Sequence, residues 1–113
     1  MTEDSDFRRA FEAFRAMPYP SRPQSEEFQD WGSELLSLDS HVAGYATRVH
    51  DGNMVASDIP NLKELVCEVR DLQSSLASVP VLTSRDSRLR GAYQLYVETL
   101  ESMMRELLRL ATD

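Results

Sequence analysis

The sequence predicts an all-α fold: an up-down-up antiparallel bundle of three long heptad-patterned helices, with a short N-terminal helix docked on it. Three observations lead there. Apolar residues alternate three and four apart along three separate stretches, the 3.5-residue period of a helical seam. The breaks between these stretches are short, so consecutive helices turn back on one another. The chain has 113 residues, 42% hydrophobic and 27% charged. That is the composition and size of one globular domain, here residues 1–113, able to bury a core without disulfides.

The first helix is expected over 6–16, with Asp4 or Ser5 as its cap. Phe7, Ala10, Phe11 and Phe14 repeat at helical spacing and form one stripe, opposite Arg8, Arg9, Glu12 and Arg15. The connector 18–23 holds three prolines and favours an extended path.

The second helix is expected over 25–50, starting at Ser25 with Glu26 and Glu27 where the helix dipole favours acids. Its seam is Phe28, Trp31, Leu35, Leu38, Val42, Tyr45 and Val49, and Gly52-Asn53 should follow its end. At 1.5 Å per residue it would be about 40 Å long. Gly32 and Gly44 lie inside it and are the expected kink points, each costing up to about 1 kcal/mol against alanine.

The third helix is expected over 59–79, with Asp58 as cap and Pro60 in the first turn, where its missing N–H costs little. Leu62, Leu65, Val69, Leu72, Leu76 and Val79 make its seam, and Pro80 stops it. The fourth is expected over 84–111 behind a capping box, Thr83 to Asp86. Its seam is Leu89, Tyr93, Tyr96, Leu100, Met103, Leu107 and Leu110. A second apolar line, Val97, Met104 and Ala111, gives this helix the widest apolar face, so it should touch the most neighbours or another chain.

Composition also narrows function. A net charge of −7 disfavours binding to nucleic acid or to anionic membranes. No apolar run approaches a membrane span, and the acidic start is unlike a secretory signal, so a cytoplasmic location is expected. The lone Cys67 lies opposite the core of the third helix and has no internal disulfide partner. There is no Gly-rich phosphate loop and no Gly-x-Ser-x-Gly elbow. Neither a cofactor nor a catalytic constellation is expected.

Three features could carry chemistry. Glu64, Glu68 and Asp71, with Glu27, Asp30 and Glu34 of the second helix, include acid pairs at i, i+3 that could chelate Mg²⁺. This arrangement loosely resembles the all-α nucleotide pyrophosphohydrolases of the MazG type, and the resemblance implies a metal-dependent nucleotide hydrolase. The acids, however, lie on the polar sides of their helices. His41 and His50 are nine residues apart, on different faces, so they cannot share a metal as an i, i+4 pair. His41 on a bundle of this size is similar to the phosphorylated histidine of histidine phosphotransfer domains, but the stretch His41-Val42-Ala43-Gly44 lacks their lysine. Arg85, Arg88 and Arg90 cluster at the start of the fourth helix, available to an acidic partner, a phosphate or the chain's own acids.

The reading that remains is a non-enzymatic helical module working through protein–protein contact. Its partner is another protein or a second copy, as in a homodimer, and its contact residues are Phe7, Phe11, Phe14, Val97 and Met104.

Overall fold

A computed structural model gives the fold for residues 2–51 and 58–112, with side chains described for 6–48, 51 and 60–109. Among these residues the chain forms four helices and no strand: α1 (Thr2–Ala16), α2 (Glu26–His50), α3 (Asp58–Leu76) and α4 (Ser84–Thr112). The expected Gly52-Asn53 stop and the side chains of Val49, His50, Asp58, Leu110 and Ala111 lie outside the described residues.

α2 starts as its sequence implies: the Ser25 carbonyl accepts from the Gln29 N–H at 2.9 Å, closing the first turn. The helix runs unbroken through Gly32 and Gly44, so neither glycine ends it. Two boundaries differ from expectation. α1 begins at Thr2, which puts Asp4 and Ser5 inside the helix instead of at its cap. Nothing before Asp6 breaks a helix, and Glu3 and Asp4 suit the positive end of its dipole. α3 ends at Leu76, before Val79. The Ser78 N–H bonds to the Ser75 carbonyl and the Val79 N–H to that of Leu76, both i to i+3, so the chain tightens out of the α-helix. Pro80 imposes this by disfavouring the helical conformation at Val79.

α2, α3 and α4 pack antiparallel in sequence order. Trp31 of α2 donates from Nε1 to the Leu72 carbonyl of α3 at 3.0 Å and to Ser75 Oγ at 3.1 Å. Near the α3–α4 turn, Arg90 donates to the Val79 carbonyl. α4 packs along both α1 and α3 and also touches α2. Its two apolar lines are thereby explained: they serve different neighbours within one chain. α1 lies antiparallel to α4, with Asp6 4.0 Å from Arg109 at one end and the Phe14 ring 5.7 Å from the Tyr96 ring at the other. The connector continues this seam. Tyr19 stacks edge-on against Tyr93 and Tyr96 and donates its hydroxyl to the Gly32 carbonyl at 3.2 Å.

One continuous core results, built from the predicted seams of α2, α3 and α4 together with the phenylalanines of α1. Burial of each Phe stabilises the fold by about 1.5–3 kcal/mol. Phe7, Phe11 and Phe14 are all under 9% exposed, and Val97 and Met104 are fully buried. This corrects the expectation that these five residues form a docking surface: the chain uses them in its own interior.

Candidate functional site

With those stripes buried, the described residues form an open groove between α2 and α3, about 790 Å³ in volume. It follows from how the two helices present their faces. Their seams meet below, where Leu65 and Leu72 with half-buried Leu38 and Tyr45 form an apolar floor. The residues flanking these seams rise as polar walls. Glu34, Ser37 and His41 line the α2 side, and Glu64, Glu68 and Asp71 line the α3 side. All six are exposed.

The walls are acidic and uncompensated. No arginine or lysine lines the groove. Three arginines pair with acids elsewhere: Arg70 and Arg105 with Glu101 at 3.2 and 2.8 Å, and Arg109 with Glu106 and Asp6. Glu64 and Glu68, one helical turn apart, repel one another on the same wall. His41 Nδ1 lies 2.9 Å from the Ser37 carbonyl. A carbonyl can only accept, so His41 Nδ1 is the donor in this contact.

The acids proposed as metal ligands therefore share a groove with Glu34, whereas Glu27 and Asp30 do not line it. Sharing a groove is not convergence: among the described residues no three His, Cys, Asp or Glu side chains come together closely enough to hold an ion. Successive acids along one α3 face are spaced by the helical rise, which spreads them along the wall.

The remaining sequence candidates take structural places or stay solvated. Cys67 is exposed, as its position opposite the seam requires. Arg85 and Arg88 are exposed, while half-buried Arg90 serves the C-terminal end of α3. Asp86 does more than its motif implies. The Thr83 hydroxyl accepts from the Asp86 N–H at 3.0 Å, as in a capping box. The buried Asp86 carboxylate, however, reaches the start of α2 and accepts from the Gln24 and Ser25 N–H groups at 2.9 Å each. The Gln24 bond foremost, then that from Ser25, hold this carboxyl below its ordinary value, although burial opposes them.

A second feature that sequence reading missed is Asp39, which accepts from the Tyr96 hydroxyl at 2.6 Å. Burial raises its pKa, and the Tyr96 bond only partly offsets this. Burial likewise raises Tyr19, Tyr93 and Tyr96, so all three stay neutral hydrogen-bond donors. An acid on the α4-facing side of α2 was visible in the sequence, but its tyrosine partner, 57 residues away, was not.

No helix among the described residues is long and apolar enough to cross a membrane. No protein-family model matches the chain, and no solved structure matches it. A stretch of 58 residues, 51% of the chain, is 33% identical to part of a putative late blight resistance protein homolog of Solanum demissum. The match spans 5% of that much longer protein. The chain is thus an all-α bundle that resembles a short segment of a larger protein.

Proposed function

We propose that the chain is a non-enzymatic helical protein–protein interaction module whose contact surface is the α2–α3 groove. The observation that carries this reading is the groove itself. The bundle buries the phenylalanines of α1 and, on α4, Tyr93, Tyr96, Val97, Leu100, Met103, Met104 and Leu107, yet leaves a trough with an apolar floor between two long helices. Such a trough accepts the apolar face of one further helix, with side chains at i, i+3, i+4 and i+7 as anchors. Resemblance to one-twentieth of a longer protein fits a helical unit carried within larger chains.

Titration of labelled protein with amphipathic helical peptides tests the reading. Amide signals of Leu38, Tyr45, Leu65 and Leu72 should shift together. Trp31 fluorescence should respond as well, because its indole N–H bonds to Ser75 and Leu72 of the groove. Ser37→Tyr, which places a ring over the floor, should abolish both signals. Shifts that avoid the groove, or none with any peptide, would remove it as the contact surface.

A metal-dependent nucleotide hydrolase is the second reading, favoured by one observation: Glu34 of α2 shares the groove with Glu64, Glu68 and Asp71 of α3. Ligand linkage separates the two, since an ion bound to the folded state raises the melting temperature. Millimolar Mg²⁺ should leave the melting temperature where it is. A clear rise, lost in Glu68→Gln, would favour the hydrolase.

A further inference from the structure

We infer that the occupant of the α2–α3 groove is a basic amphipathic helix of a partner protein, with arginine or lysine side chains flanking a short apolar stripe. This rests on the reading of the groove as a docking surface and adds the chemistry of what docks. The argument begins with unspent charge. Glu34, Glu64, Glu68 and Asp71 face the groove, and none of them pairs with a basic side chain among the described residues. Acids elsewhere in the fold, such as Glu101 and Glu106, are held by arginines. The chain has 12 basic residues and places none of them along this trough.

Rim charges of one sign over an apolar floor select a partner of opposite charge and reject like-charged ones. The α3 wall acids recur at intervals of four and three, so cations at the same intervals on a facing helix meet each in turn. From Asn61 to Ser75 the α3 wall runs about 21 Å at 1.5 Å per residue, close to four turns of a partner helix. Acidic walls repel a phosphate backbone or an anionic lipid surface, which leaves a cationic peptide face as the complement.

A second copy is the alternative occupant, because α1 exposes Arg8, Arg9 and Arg15. The apolar side of α1 is already buried against α4, however, so this helix has no anchors left to place on the groove floor. The occupant must bring a free apolar stripe of its own.

The test uses the full chain and three helix-stapled peptides of about 18 residues, about 27 Å long. All share one leucine stripe, flanked by arginine, glutamine or glutamate. The arginine peptide should bind about tenfold more tightly than the glutamine peptide and lose that advantage as salt shortens the screening length from about 30 Å to about 8 Å. Glu68→Arg should remove the advantage and leave glutamine-peptide binding unchanged. Glu98→Arg, on the exposed outer face of α4, should alter neither.

Equal binding of all three peptides in the groove would overturn the inference and leave the docking reading standing. Binding of none would overturn both. Equal weakening by Glu98→Arg and Glu68→Arg would show diffuse attraction to an acidic protein and overturn the inference. So would a homodimer of the free chain that Glu68→Arg dissociates, since the occupant would then be a second copy.

Discussion

Asp86 and Asp39 show how two carboxyl groups in one small bundle acquire opposite tasks. Asp86 closes the start of α2 from α4, and its two N–H donors hold the charged form. Its folded pKa lies below the unfolded value, so its stabilisation is fully present above the ordinary carboxylate range. That stabilisation is lost as pH falls through the folded value. Asp86→Asn should therefore lower the melting temperature at neutral pH, because an amide offers one acceptor oxygen in place of two. It should also flatten the acid side of the stability curve, as measured by melting from neutral pH to strong acid. Asp39 has the reverse sign. Burial raises its pKa, so the native state holds a proton more readily than the unfolded chain, and stability falls as pH rises from the ordinary value through the raised one. Asp39→Asn keeps an acceptor for the Tyr96 hydroxyl and removes the half-buried charge. It should raise the melting temperature at neutral pH, with the gain vanishing in acid; an equal gain at both extremes would mean that charge is not the cause. Only part of this was legible in sequence. Thr83 and Asp86 were readable as a cap because their spacing is local, whereas the reach from Asp86 to Ser25 crosses 61 residues and leaves no local pattern.

At the scale of elements, seams were legible and ends were less so. A 3.5-residue period fixes which face of α2, α3 or α4 is buried, and the core follows it closely. Helix ends depend on a few groups and on competing turns, which is why α3 stopped at Leu76 when its apolar pattern continued to Val79. Gly44 and Gly91 test how much propensity still matters once packing has decided the helix. Both are exposed, and a methyl group on either meets nothing within 4 Å. Gly44→Ala should stabilise the chain by about 0.5–1 kcal/mol, because it restricts the unfolded backbone without disturbing a neighbour. Urea denaturation should show this as a higher midpoint at unchanged slope. At Gly32 the added carbon lies 3.8 Å from the Tyr93 hydroxyl, an ordinary contact, although the helix there is buried and its carbonyl already serves Tyr19. α1 is the opposite case, a helix held by packing. Phe14→Ala should cost about 3–5 kcal/mol and loosen the Tyr96 contact it caps.

The whole molecule decides what neither residues nor elements could. The acids of α3 and of α2 were visible as candidates in the sequence, but that Glu34 and not Glu27 or Asp30 lines the groove depended on how α2 and α3 rotate about their own axes, which a seam fixes only for its buried side. The same global arrangement reassigns the apolar surplus. Read helix by helix, the stripe of α1 and the second line of α4 call for another chain. Folded together they satisfy each other, because α4 is flanked on two sides by α1 and α3. Among the described residues the exposed large apolar side chains are Tyr19 in the connector, Leu36 on α2, Leu82 in the α3–α4 turn and Leu95 on the outer side of α4, four different places in the fold. Isolated exposed side chains of this kind are normal on a monomer and do not make an interface. With a net charge of −7 adding mutual repulsion, the free chain should remain a monomer of 12.9 kDa. Light scattering across about a tenfold concentration range should return that one mass, at low and at high salt alike. A mass that doubles with concentration would require a dimer interface built from polar helix faces, and dissociation of that dimer by salt would locate it on the arginines of α1 and the acids of the groove. A mass unchanged throughout leaves the α2–α3 groove open for a different protein.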